Sequence, residues 1–234
     1  MKLIMLLASL VLVLLSVPID AQQKADPASK LVEFHMALLK RGPHWEASET
    51  PQVKELHQQH LAYFSSLIET GKAVIGGPII GDGELRGIYV FKAKNGAEAR
   101  AWADADPGVK AGNLVVEMHP WWSEEVMKKA AIPIKLTPAY LGFLSRGAKW
   151  TPEKTPQTEE LQKAHMANMN KLADMKKLVV AGPFGDNGQL RGIFVFKVDS
   201  LEEAKQLADT DPAVQAGRLA IDMHKWLVPE GILP

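Results

Sequence analysis

The chain repeats itself. Gly77-Pro78, then Gly83-Glu84-Leu85-Arg86-Gly87-Ile88-Tyr89-Val90-Phe91-Lys92, then Ala103 to Gly112 return 105 residues later as Gly182-Pro183, Gly188 to Lys197 and Ala208 to Gly217. The correspondence needs no gap from Leu39/Leu144 to Trp121/Trp226, which marks an internal duplication. This limits the fold sharply. Each copy has roughly 90 to 100 residues, enough for only a small core. An apolar face left open on one copy recurs on the other, and the two can cover each other.

Within each copy the same elements follow in order. Leu31 to Leu39 reads as a first strand, and the stretch Lys40 to Thr50, rich in Gly, Pro and charge, as a loop. Trp45 and Trp150 match within that loop, each as a lid over a pocket or a plug on the core. Thr50-Pro51 and Thr155-Pro156 supply an N-cap and a first-turn proline, and Gly71 stops the first of these helices. Leu56, His60, Phe64 and Leu67 fall on one face, as do Leu161, His165, Met169 and Leu172. Short strands ended by Pro78 and Pro183 come next. Then come turns rich in Gly, Asp and Asn, strands over Arg86 to Lys92 and Arg191 to Lys197, and helices near Gly96 to Ala103 and Leu201 to Ala208. Leu114 to His119 and Leu219 to His224 close the copies as last strands. Pro120 to Pro133 joins the copies, with a helical turn expected over Glu124 to Lys129. Strand, helix, strand, strand, helix, strand is the ferredoxin-like order, with helices on one face of a sheet.

The expected fold is α+β: two tandem ferredoxin-like domains of the dimeric α/β-barrel type, packed sheet to sheet as an intrachain pseudo-dimer. The expected divisions are a signal peptide over 1–21, a linker over 22–30, copy one over 31–122, a second linker over 123–133 and copy two over 134–230. The signal peptide is read from Lys2, the apolar run Leu3 to Pro18 and the small residue Ala21, with cleavage after Ala21. That places the protein outside the cytoplasm, secreted or periplasmic, with no stable membrane span after cleavage. With no cysteine in the chain, export brings no disulfide and stability rests on packing. Lys and Arg total 27 against 27 Asp and Glu. That balance lacks the basic face a nucleic-acid partner demands; the expected partner is a small molecule.

Several side chains are candidates for chemistry. His60 and His165 sit inside apolar helical stripes, where an imidazole needs a partner for its N–H. Glu117 and His119 are two apart on a strand and share a face, as do Asp222 and His224. They would point toward the interface between sheets or its rim, as ligand contacts or as polar pairs at a wet edge. Arg86 and Arg191 follow the glycine-rich turns, placed to grip an anionic substrate group or to form a salt bridge. His57 and His60 are three apart, but two histidines with no cysteine or third ligand nearby do not make a metal centre. No metal or cofactor is expected. Nucleophile elbows, phosphate loops and dinucleotide fingerprints are absent.

The helix histidine, the Gly-Pro after the second strand and the block Ala103-Asp104-Ala105-Asp106-Pro107-Gly108-Val109-Lys110-Ala111-Gly112 together resemble the YCII-related (YciI-like) domain family, in both copies. The resemblance implies ferredoxin-like domains that dimerise with sheets face to face. It also implies a His–Asp active site, here His60 with Asp106 and His165 with Asp211. Most members have no established activity; one lineage is a dehydrochlorinase acting on a chlorinated hydroxyquinol. Departures from the family pattern are the export signal, the fused tandem and a longer loop before the helix.

Two function classes follow. One is a cofactor-free lyase or hydrolase-like enzyme with His as general base, its tautomer fixed by Asp. The other is a non-catalytic small-molecule-binding or structural module with core histidines, Asp106 and Asp211 merely holding Asp-Pro turns. The enzyme reading expects one nitrogen of each ring to face a cavity between the copies.

Overall fold

The computed structural model describes residues 31–48 and 50–234. The signal-peptide and first-linker expectations lie outside that range. In copy one, β1 (Leu31–Arg41), α1 (Pro51–Glu69), β2 (Ala73–Ile80), β3 (Leu85–Phe91), α2 (Gly96–Asp104), α3 (Pro107–Lys110) and β4 (Leu114–Glu124) follow in order. Copy two repeats them as β5 (Leu136–Arg146), α4 (Pro156–Asp174), β6 (Leu178–Pro183), β7 (Leu190–Phe196), α5 (Leu201–Ala208), α6 (Pro212–Gln215) and β8 (Leu219–Pro229).

Local chemistry places these elements. The hydroxyl of Thr50 accepts from the Val53 N–H at 3.2 Å, and Thr155 and Thr158 cap α4 reciprocally. Pro78 does not end its strand as expected. It pairs with Gly87 inside β2, and the β-branched Ile79 and Ile80 carry the strand on. The helical turn expected over Glu124 to Lys129 is absent, because β4 continues to Glu124, paired with Leu31. The short helices α3 and α6 are additional, each capped by the aspartate of its Asp-Pro pair.

The eight strands form one sheet in the order β4-β1-β3-β2-β8-β5-β7-β6. It curls until its edge strands meet at the bridge Trp121↔Phe184. The two copies therefore form an intrachain pseudo-dimer joined at both edges. At one seam Ile79 and Ile80 pair with Trp226 and Lys225; at the other Gly185 N–H donates to Pro120 O at 2.9 Å. The indole of Trp226 donates to Gly77 O at 3.2 Å, and that of Trp121 to Gly182 O at 3.1 Å. The repeated Gly-Pro has its reason here. A Cβ on Gly77 would lie 1.9 Å from Leu227 O, and one on Gly182 1.8 Å from Trp122 O. Only glycine admits the other copy's last strand.

Alternation along the strands gives the sheet two apolar faces. Phe34, Met36, Ile88, Val90 and Trp121 of copy one cluster with Leu141, Phe143, Ile193, Val195 and Trp226 of copy two. The alternate residues Tyr140, Phe194 and Phe196 pack instead with Leu172 of α4 and with Ala204 and Ala208 of α5. Helices thus lie outside the curled sheet, and the copies meet through its inner face. Among the described residues no helix is long and apolar enough to cross a membrane.

Candidate functional site

Helix α1 presents His60 to the outer face of β3, where the ring stacks on Tyr89 at 6.2 Å between centroids. Asp106 arrives from below as the N-cap of α3, its Oδ1 accepting the Gly108 N–H at 2.7 Å. Its Oδ2 lies 2.8 Å from His60 Nδ1 and accepts the Tyr89 hydroxyl at 2.6 Å. Asp106 is fully buried, whereas 20% of the His60 side chain remains open. Burial pushes the Asp106 carboxyl up. Hydrogen bonding and charge from His60, then the bonds from Tyr89 and Gly108, outweigh it and hold the group below the usual range. An ionised carboxylate only accepts, so Nδ1 carries the proton it donates. Burial, then the charge of Asp106, pushes the Tyr89 hydroxyl well above its ordinary value, so it stays protonated as donor.

Copy two repeats the pair but not the triad. His165 Nδ1 lies 2.6 Å from Asp211 Oδ2, and Asp211 Oδ1 accepts the Ala213 N–H at 2.8 Å. The position of Tyr89 is held by Phe194, stacked on His165 at 5.9 Å. His165 is also more enclosed, with 10% of its side chain open. The repeated block differs at this strand position, Ile88-Tyr89-Val90 against Ile193-Phe194-Val195. That single hydroxyl sets Tyr89 apart, where strand propensity alone does not distinguish it from its neighbours.

Neither histidine faces the contact between the copies. They lie between the helices and the outer face of the sheet, whereas the copies touch through the inner face. Two cavities among the described residues are lined by other side chains. One of about 270 Å³ is lined by Ala131, Ile132, Pro133, Lys135 and Glu230; one of about 330 Å³ by Lys205, Asp209, Ile221, Asp222 and Met223.

The last-strand pairs do come together. His119 Nε2 lies 2.9 Å from Glu117 Oε1, while Nδ1 lies 2.5 Å from Asp186 Oδ2 of the other copy. Lys40 takes the remaining Glu117 oxygen. Hydrogen bonding from Lys40 leads the effects that hold Glu117 low. Burial pushes Asp186 up, but bonds from His119 and the Gly188 N–H bring it below its ordinary value. His224 and Asp222 meet at 3.0 Å, with 79% of the Asp222 side chain in solvent. Their copy has no cross-seam acid, because Gly81 stands where Asp186 would be matched.

Neither Arg86 nor Arg191 ion-pairs with a carboxylate among the described residues, so the salt-bridge alternative is not what the structure displays. Arg86 Nη1 donates to Gly81 O at 2.5 Å, and Arg191 Nη1 to Asn187 Oδ1 at 3.2 Å. Each guanidinium lies over the loop tryptophan of its own copy, Arg86 5.1 Å from Trp45 and Arg191 4.9 Å from Trp150. Trp45 packs on the core, so it is a plug, with Arg41 also over its ring. No group of three or more potential ligands able to hold a metal ion occurs among the described residues.

The fold is shared with solved structures of other proteins. A chlorite dismutase variant from Candidatus Nitrospira defluvii superposes with a TM-score of 0.55 at 13% identity, over 85% of this chain and 91% of that one. A heme-binding protein from Thermus thermophilus superposes at 0.53 and 14% identity, over 86% and 92%. A dye-decolorizing peroxidase from Bacteroides thetaiotaomicron does so at 0.53 and 10% identity, over 84% and 92%. At these identities the likeness concerns the fold. A haem would need a cleft of several hundred Å³ beside a histidine. Neither of the two cavities described above is lined by His60 or His165. In sequence, 76 residues are 33% identical to the uncharacterized protein YjpA of Bacillus subtilis (strain 168), covering 31% of this chain and 87% of that protein. A sequence model of the YCII-related domain matches residues 21–122 and again 145–222, and the chain therefore belongs to the YCII-related domain family in two tandem copies.

Proposed function

We propose that copy one carries the working site and that the protein is a cofactor-free, general-base catalyst of the lyase or hydrolase-like class, acting on a small molecule. The observation that supports this reading is the His60–Asp106–Tyr89 arrangement: a fully buried carboxylate with three hydrogen-bond donors on it, and an imidazole still one-fifth open. With the proton fixed on Nδ1, Nε2 holds the lone pair a general base needs. In an elimination, Nε2 takes a proton from carbon, the C–H pair forms the new double bond, and the leaving group departs as an anion. His60 then returns the proton to water.

His165 and Asp211, more enclosed and without the tyrosine, serve mainly to fasten α4 to α6 in this reading. The second reading is a binding or structural module throughout; it is favoured by neither histidine lining either of the two cavities. The protein is further proposed to be exported and to begin at Gln22 once processed.

The experiment is to recover the processed chain from periplasm or medium, confirm its start by intact mass and identify any co-purifying metabolite. Turnover of the resulting substrate class is then compared in His60→Gln and His165→Gln. His60→Gln is expected to lower turnover by about 10²-fold or more with the fold intact, and His165→Gln to change it little. Unchanged turnover in His60→Gln would remove the histidine from the mechanism and leave the module reading.

A further inference from the structure

Around Trp150 the chain gathers positive charge without visible balance. The guanidinium carbons of Arg146, Arg191 and Arg218 lie 5.5, 4.9 and 4.6 Å from the centroid of that one indole. Every pair is thus within about 10 Å, a Debye length at ordinary ionic strength. Cation–π attraction holds each group to the ring but does nothing for the repulsion between them. The bonds they make go to neutral acceptors. Arg146 Nη2 donates to Asn187 O at 2.6 Å, Arg191 Nη1 to Asn187 Oδ1 at 3.2 Å, and Arg218 Nη1 and Nη2 to Thr151 Oγ1 and O at 3.1 and 2.8 Å. Among the described residues none of the three ion-pairs with a carboxylate, and Arg146 Nε is sealed from solvent with no partner.

We propose that Arg146, Arg191 and Arg218, mounted on Trp150, form a binding site for a dianionic phosphoryl oxyanion. Each guanidinium carries five donors, and these bonds leave most of them unused. The carboxylate whose field reaches Arg191, that of Asp186, is bonded to His119, so positive charge remains on the cluster. A dianion offsets more of it than a monoanion does. A tetrahedral oxyanion also offers oxygens in more directions than a planar carboxylate, and so can accept from guanidiniums spaced around one ring. Burial and the neighbouring Arg146 and Arg218 charges lower the Arg191 guanidinium from its ordinary value, the direction that unrelieved crowding produces.

The duplication supplies an internal control. In copy one Arg41 and Arg86 lie 5.5 and 5.1 Å from the Trp45 centroid, but Asn113 stands where copy two has Arg218. Copy one is therefore a two-arginine version of the site. The proposal does not depend on the His60 reading, and its test reads binding alone.

The test is calorimetric titration of the purified protein with inorganic phosphate, phenyl phosphate and malonate, at low and high salt. One saturable phosphate site is expected, weaker at high salt. Arg218→Gln and Arg191→Gln should each weaken it by about tenfold or more, and Arg191→Lys, which keeps charge but loses the fork, by less. Asn113→Arg should create a second equivalent of binding in copy one, a gain that no folding defect can imitate. Binding of phosphate alone would identify the free anion and binding of phenyl phosphate as well a phosphate ester; either supports the site. Absence of saturable binding, affinity unchanged in Arg191→Gln and Arg218→Gln, failure of Asn113→Arg to add a site, or malonate bound as tightly as phosphate would overturn it.

Discussion

Asp106 serves two structures with its two oxygens. Oδ1 caps α3 through the Gly108 N–H, and Oδ2 receives Tyr89 while Nδ1 of His60 lies within reach of both. The cap reading and the active-site reading of this aspartate are therefore compatible, since one carboxylate has room for both roles. Because folding holds Asp106 below the value of about 3.9 for an unfolded aspartate, its contribution is fully present above that value. It is lost as pH falls through the depressed folded value. Tyr89→Phe removes one of the bonds that depress it, and copy two already tolerates Phe194 at the matching position. The expected cost is about 1.5 to 3 kcal/mol near neutrality, the range for a hydrogen bond to a charged group. The acid limb of the stability curve should move to higher pH. Urea unfolding of Tyr89→Phe across the acid range measures both; an unchanged acid limb would show that the Tyr89 hydroxyl does not govern Asp106.

At the scale of elements the two copies can be read against each other. Both long helices start at Thr-Pro and their exits match, but Gly71 (φ 71°) leaves α1 where Lys176 (φ 57°) leaves α4. A side chain in the left-handed region costs roughly 1 kcal/mol that glycine avoids. Lys176 is exposed, so Lys176→Gly should raise stability by about 0.5 to 1 kcal/mol, read as a shift of the denaturation midpoint at constant slope. Most elements were legible for the same kind of local reason: caps, glycines and alternation. The four-residue helices were not, because a single turn has no periodicity. Pro78 misled because a proline ends a strand only where its missing N–H was needed, and Ile79-Ile80 beyond it favour extension. His60 with Asp106 was legible because the motif recurs. The arginine–tryptophan stacks were not, since they join residues such as Arg146 and Arg218 that only the fold brings to one ring.

For the molecule as a whole, two copies closing on each other must make two seams, and their sequences make these unequal. At the β2–β8 seam Ile79 and Ile80 extend the ladder to Trp226 and Lys225. At the β4–β6 seam the matching residues are Phe184 and Gly185, β6 stops at Pro183, and one bridge remains with the Gly185-to-Pro120 bond. A Cβ on Gly185 would lie 3.1 Å from the Trp122 indole nitrogen, so the glycine that shortens the strand also admits that ring. Side chains compensate: Ser123 Oγ donates to Ala181 O at 3.2 Å, and His119 reaches Asp186 across the gap. The β4–β6 seam therefore depends on a polar clasp where the other depends on backbone pairing, and local opening should begin there. Amide hydrogen exchange is expected to be faster at Gly185 and its neighbours than at Ile79 and Ile80. Asp186→Asn removes the charge that holds His119, so it should speed exchange along β4 and β6 several-fold while leaving β2 and β8 nearly unchanged. Equal exchange at both seams, or an equal response of both to Asp186→Asn, would mean that the curled sheet opens as one unit and that the clasp carries no separate share of its closure.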